Sequence, residues 1–115
     1  MSDSAFNLAV TQTAHLPKLV DFVAGAIVSK PLIDSPQIRQ VLFAIDAGQC
    51  LSEHTSSFPA TVHVLDGAMT MSVGGATHEL RANDWLLMPA GAIHSVEATQ
   101  PVRFILTLIK QPSKL

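Results

Sequence analysis

The chain has 115 residues, 48% of them apolar and 14% charged, with seven basic and nine acidic side chains and a formal charge of −2. That is enough apolar material for one hydrophobic core, and no basic cluster offers a phosphate-binding face, so nucleic acid is excluded as an expected partner. No apolar run approaches the roughly 18 residues of a membrane helix, the polar start Met1-Ser2-Asp3-Ser4 lacks the order of a secretion signal, and the single Cys50 rules out an intrachain disulfide.

Residues 1–24 read as a surface arm. His15 to Phe22 has room for one helical turn, but Pro17 and the short length argue against a longer helix. From residue 25 to 115 the β signal dominates. Ala26-Ile27-Val28 and Val41 to Ile45 are separated by the turn-forming Asp34-Ser35-Pro36. Further strands are expected over Thr61–Leu65, Ala68–Val73, Ala76–Leu80, Trp85–Met88, Ile93–Ala98 and Val102–Ile109. Turn chemistry punctuates them: Asp66-Gly67, Gly74-Gly75, Asn83-Asp84, Pro89-Ala90-Gly91 and Gln100-Pro101. Short, closely spaced strands without a helical period predict an all-β sandwich or barrel.

Residues two apart on a strand share a face. Met69, Met71 and Val73 therefore oppose Ala68, Thr70 and Ser72. Phe104, Leu106 and Leu108 oppose Arg103, Ile105 and Thr107, and the apolar Ile105 and Ile109 on that second face call for a cover, either the N-terminal arm or a second subunit. Trp85 is expected to point outward.

Two blocks stand out: Gly48-x5-His54 running on to Gly67, and Asn83-x5-Pro89-x-Gly91-x2-His94. They resemble the two signature motifs of the cupin superfamily, over about residues 40–109, and the resemblance is closest to small stand-alone bacterial cupins of the cupin 2 type. It implies a double-stranded β-helix, a jelly-roll-like barrel. The first family motif calls for Gly, His, a second His two residues on, Glu and Gly. Here Ser56 stands in place of the second His and Ala60 in place of the Glu. In the second motif Asn83 replaces the opening Gly and Ala98 the closing Asn. Asn tolerates the left-handed backbone of a tight turn, so that change is mild.

The resemblance implies a metal centre of three His and one Glu, of which only His54 and His94 remain. Two donors hold a divalent ion poorly, since firm sites use three or more. Glu53 and Glu97 fall on the opposite strand face. Cys50 joins His54 on the inner face only if residues 50–54 form a straight strand. His63, His78 and His15 are expected at outer or surface positions.

The expected pocket comprises His54, Ser56, Ala60, Val62, Met71, Met88, His94 and Phe104, with Met69, Val64 and Leu86 also on the inner wall. Flexible Met side chains make an adaptable apolar surface, and Ala60 leaves room where the family has a larger side chain. The leading functional expectation is a cupin barrel that binds a small organic ligand, without a required cofactor. The alternatives are a metal-dependent oxygenase or isomerase, with a divalent transition metal at His54 and His94, and a dimerising barrel without catalysis that uses Trp85, Leu65, Ile105 and Ile109. A homodimer in the cytoplasm, acting apart from nucleic acid and membrane, completes the expectation.

Overall fold

The computed structural model describes residues 4–110. Nine strands follow one short 3-10 helix at Leu16–Leu19: β1 (Ile27–Asp34), β2 (Ile38–Ile45), β3 (Cys50–His54), β4 (Ala60–Asp66), β5 (Ala68–Val73), β6 (Ala76–Arg81), β7 (Trp85–Met88), β8 (His94–Ala98) and β9 (Val102–Ile109). They form a five-stranded sheet in the order β1-β2-β9-β4-β7 and a four-stranded sheet in the order β3-β8-β5-β6. All pairings are antiparallel. The two sheets face each other as a jelly roll and do not close at the β6–β7 side, where each strand has one sheet neighbour.

The inner wall follows the alternation in the sequence. Val62, Val64, Met69, Met71, Val102 and Phe104 are almost fully buried between the sheets, together with Ala60, Met88 and Val96. The expected strands are all present. β3 is an addition that hydrophobic patterning missed, because Cys50-Leu51-Ser52-Glu53-His54 holds one aliphatic side chain. β1 also runs further than its apolar start suggested, through Pro31 to Asp34. It is an edge strand, and the pairing shifts between Pro31 and Ile33, the setting in which a sheet tolerates a proline.

A second core lies on the outer face of the five-stranded sheet. Val20 of the arm is buried with Leu32, Leu42, Ala44 and Ile105, and Phe6, Leu16, Leu19, Phe22 and Leu65 pack around them. The arm is thus the cover that Ile105 required. Each aliphatic side chain removed from water there contributes about 1.5–3 kcal/mol. Hydrogen bonds fix the arm's path: the N–H groups of Ala5 and Phe6 donate to the carbonyls of Pro31 and Leu32 at 2.9 and 3.0 Å. Further along, Arg103 Nε donates to the Val20 carbonyl at 2.9 Å while its guanidinium lies 4.1 Å over the Phe22 ring. The one helical turn anticipated near Pro17 is the 3-10 turn, with the proline in its first positions.

Turn chemistry sets the strand ends. Asn83 has φ +73° and is, among the described residues, the one non-glycine with positive φ. It occupies the left-handed turn where the related motif has glycine, as its short polar side chain allows.

Candidate functional site

Strands β3 and β8 pair so that His54 lies directly opposite His94. The two imidazoles meet edge to face, with centroids 4.1 Å apart and planes at 64°. Each ring is held by its own strand. His54 Nδ1 lies 2.7 Å from the Ser52 carbonyl oxygen, and His94 Nδ1 lies 3.0 Å from that of Ala92. A carbonyl oxygen only accepts, so Nδ1 carries the ring proton in both and Nε2 of the neutral ring presents a lone pair. His94 is 6% exposed, the one buried polar side chain among the described residues, whereas His54 is exposed at the mouth.

The pairing of β3 with β8 slips between Leu51 and His54. This bulge brings Leu51 and His54, three residues apart, onto the same inner face. It also turns Cys50 outward, where the thiol is exposed and 3.8 Å from the Gly48 carbonyl. The straight-strand condition for Cys50 to join the histidines is therefore not met. Glu53 and Glu97 are on the outer face as well, beside Cys50 in a shallow depression. His63 is exposed on the outer face of β4, opposite Trp85, and His15 is exposed in the arm.

Beneath the imidazoles lies a hollow of about 60 Å³, lined by Phe43, Leu51, His54, Val62, Met71, Met88, His94, Val96, Phe104 and Leu106. Phe43 and Phe104 stack on one wall, with centroids 5.0 Å apart and planes at 14°. On this measure one water needs about 10–15 Å³, so the hollow has room for a few heavy atoms. Organic-ligand pockets typically measure about 300–1,000 Å³; a larger occupant must extend through the mouth past His54.

The structure brings together six of the eight pocket residues expected from sequence: His54, Val62, Met71, Met88, His94 and Phe104. Ser56 and Ala60 do not line the hollow. Ser56 is occupied with its loop, its hydroxyl accepting from the Phe58 N–H at 3.1 Å and its carbonyl from the Gly91 N–H at 2.7 Å. Ala60 is fully buried in the core, opposite Met88 and Leu108 in register. The lining residues not anticipated are Phe43, Leu51, Val96 and Leu106. Leu106 was legible, since it shares a face with Phe104. Leu51 was not, because only the bulge makes it a neighbour of His54.

A second, shallower groove of about 300 Å³ runs along the open β6–β7 side, lined by Val73, His78, Leu80, Trp85, Leu86 and Leu87. His78 is its one titratable side chain, with no second such group to converge on it. The paired histidines are the stronger candidate for chemistry.

Among the described residues, no group of three or more His, Cys, Asp or Glu side chains is placed to hold a metal ion. Two imidazole nitrogens, with Ser56 turned to its loop and alanine at position 60, do not fit a firmly held divalent ion.

The comparisons with known proteins agree with this architecture. A conserved protein of unknown function from Streptococcus pyogenes superposes with a TM-score of 0.85 at 23% identity, over 98% of both chains. A cupin superfamily protein from Desulfitobacterium hafniense gives 0.81 at 20% identity, covering 89% of this chain and 95% of the other. A cupin 2 conserved barrel domain protein from Leptotrichia buccalis gives 0.80 at 30% identity, covering 83% of this chain and 46% of that one. No curated protein matches the chain. The family model described as the cupin domain matches residues 41–108, from β2 through β9, and the chain belongs to the cupin family.

Proposed function

We propose that this cupin barrel binds a small organic molecule in the hollow beneath His54 and His94, without depending on a metal ion. The observation that supports this most is the pairing of two ordered imidazoles with an otherwise apolar wall. Binding sites commonly combine an apolar lining with a few fixed polar groups that orient the ligand. The Met71 and Met88 side chains supply an adaptable wall for an occupant of modest size.

The competing reading is a metal-dependent oxygenase or isomerase, with a divalent transition metal at His54 and His94. It must work with two protein donors where firm sites have three or more. Elemental analysis of protein purified without chelator separates the two. The proposal predicts less than about a tenth of an equivalent of any transition metal after attempted reloading, because metal held by two neutral donors is readily lost. A full equivalent that withstands gel filtration contradicts it. A thermal-shift screen supplies the positive test: compounds that stabilise the native protein should stabilise His54→Ala less.

A further inference from the structure

Building on that ligand-binding reading, we infer that the occupant is a neutral hydroxyl compound that donates its proton to Nε2 of His94, with its apolar body in the hollow. The inference starts from the repeated geometry of the two rings. Each Nδ1 is committed to the backbone carbonyl two residues earlier, Ser52 for His54 and Ala92 for His94. In its neutral form each ring therefore presents an acceptor and no donor at Nε2.

The two acceptors differ in their need for a partner. His54 is exposed, so its ring lies within reach of solvent. His94 is 6% exposed, and no hydrogen bond occupies its Nε2. Among the described residues no sealed side-chain nitrogen or oxygen is without a partner, so Nε2 of His94 is reachable from the mouth. A donor arriving there meets the buried acceptor of an otherwise apolar wall.

The same geometry excludes other chemistries. Against a neutral ring, a carboxylate brings lone pairs against a lone pair and offers no proton. An ammonium group brings donors, but no carboxylate lines the hollow to balance its charge, and an unpaired buried charge is costly. An ether of the same shape fills the apolar space and leaves the acceptor unmet. A hydroxyl satisfies it at the cost of one modest desolvation.

The test uses two constitutional isomers, 1-butanol and diethyl ether, with butanoate as a third probe. Each is titrated into the full chain at about pH 8.5, above the range in which imidazoles ordinarily titrate. Methyl resonances of Met71 and Met88 report entry into the hollow. We expect 1-butanol to shift both methyls saturably and to bind about tenfold more tightly than diethyl ether, the ratio of one well-made hydrogen bond. His94→Phe should erase that preference, while His54→Phe at the exposed mouth should leave most of it. Equal binding of alcohol and ether by the native protein, or tighter binding of butanoate, overturns the inference and leaves an apolar-ligand reading standing. If none of the three moves either methyl, no hydroxyl compound of this size enters the hollow and the inference is overturned, while the thermal-shift screen still decides the ligand-binding reading.

Discussion

At Gly67 an added β-carbon would lie 1.9 Å from the Pro101 carbonyl oxygen, whereas at Gly48 it would meet nothing within 4 Å. The two glycines have nearly the same φ, +82° and +83°. Gly48→Ala therefore reports the left-handed backbone alone, about 1–2 kcal/mol, and Gly67→Ala adds displacement of the β8–β9 turn. Urea denaturation should give the larger loss at Gly67; equal losses would contradict the close approach. Both glycines were legible through motif spacing, and so was the turn role of Asn83, because these demands are local to the backbone. His54 and His94 were legible for the same reason. The positions of Ser56 and Ala60 were not. The motif marks them as sites of missing ligands, but their contacts depend on how the loop from Thr55 to Pro59 is tied to Gly91.

β3 shows where reading by alternation stops. Its five residues hold Leu51 and His54 on one face through a bulge, and nothing in Cys50-Leu51-Ser52-Glu53-His54 announces the slip. Alternation left Cys50 conditional on a straight strand and missed Leu51, both because of that slip. The arm offers the opposite lesson, since the apolar second face of β9 did call for a cover. Its choice between arm and partner is decided for Ile105 and Leu65, which lie under the arm and are not free for an interface. Arg103 fastens this element, bonding the Val20 carbonyl and the Asp66 carboxylate, the latter at 3.0 Å. The Asp66 side chain is 40% exposed, so the ion pair itself is screened. Arg103→Met should cost about 1–2 kcal/mol, mostly through the lost bond to the arm, while Asp66→Asn should cost less than half as much. Amide exchange near Val20 should accelerate in Arg103→Met; unchanged exchange would show that apolar packing alone holds the arm.

For the whole molecule, the arm leaves one part of the five-stranded sheet open. Trp85, Leu87 and Ile109 are 61%, 55% and 42% exposed there. Leu87 and Trp85 pair in register with Thr61 and His63 of β4, and Ile109 with Ile38 of β2. We propose a second copy of this chain as the cover, because a closed two-fold dimer is the commonest way for a chain to bury such a face. Sedimentation should show a dimer that Trp85→Lys converts to a monomer, and a native monomer at micromolar concentration would remove the proposal. The jelly-roll architecture was readable from turn spacing and the two motifs, whereas the small volume of the interior was not, since it depends on how Phe43, Leu106 and the methionines pack. The central claim concerns what sits in that interior, and a high-resolution crystal structure of protein purified without chelator tests it most directly. The account predicts density for a small organic molecule in the hollow, with a donor within about 3 Å of His94 Nε2. An ion at full occupancy about 2.0–2.1 Å from both imidazole nitrogens, or side chains closing the hollow entirely, would contradict it.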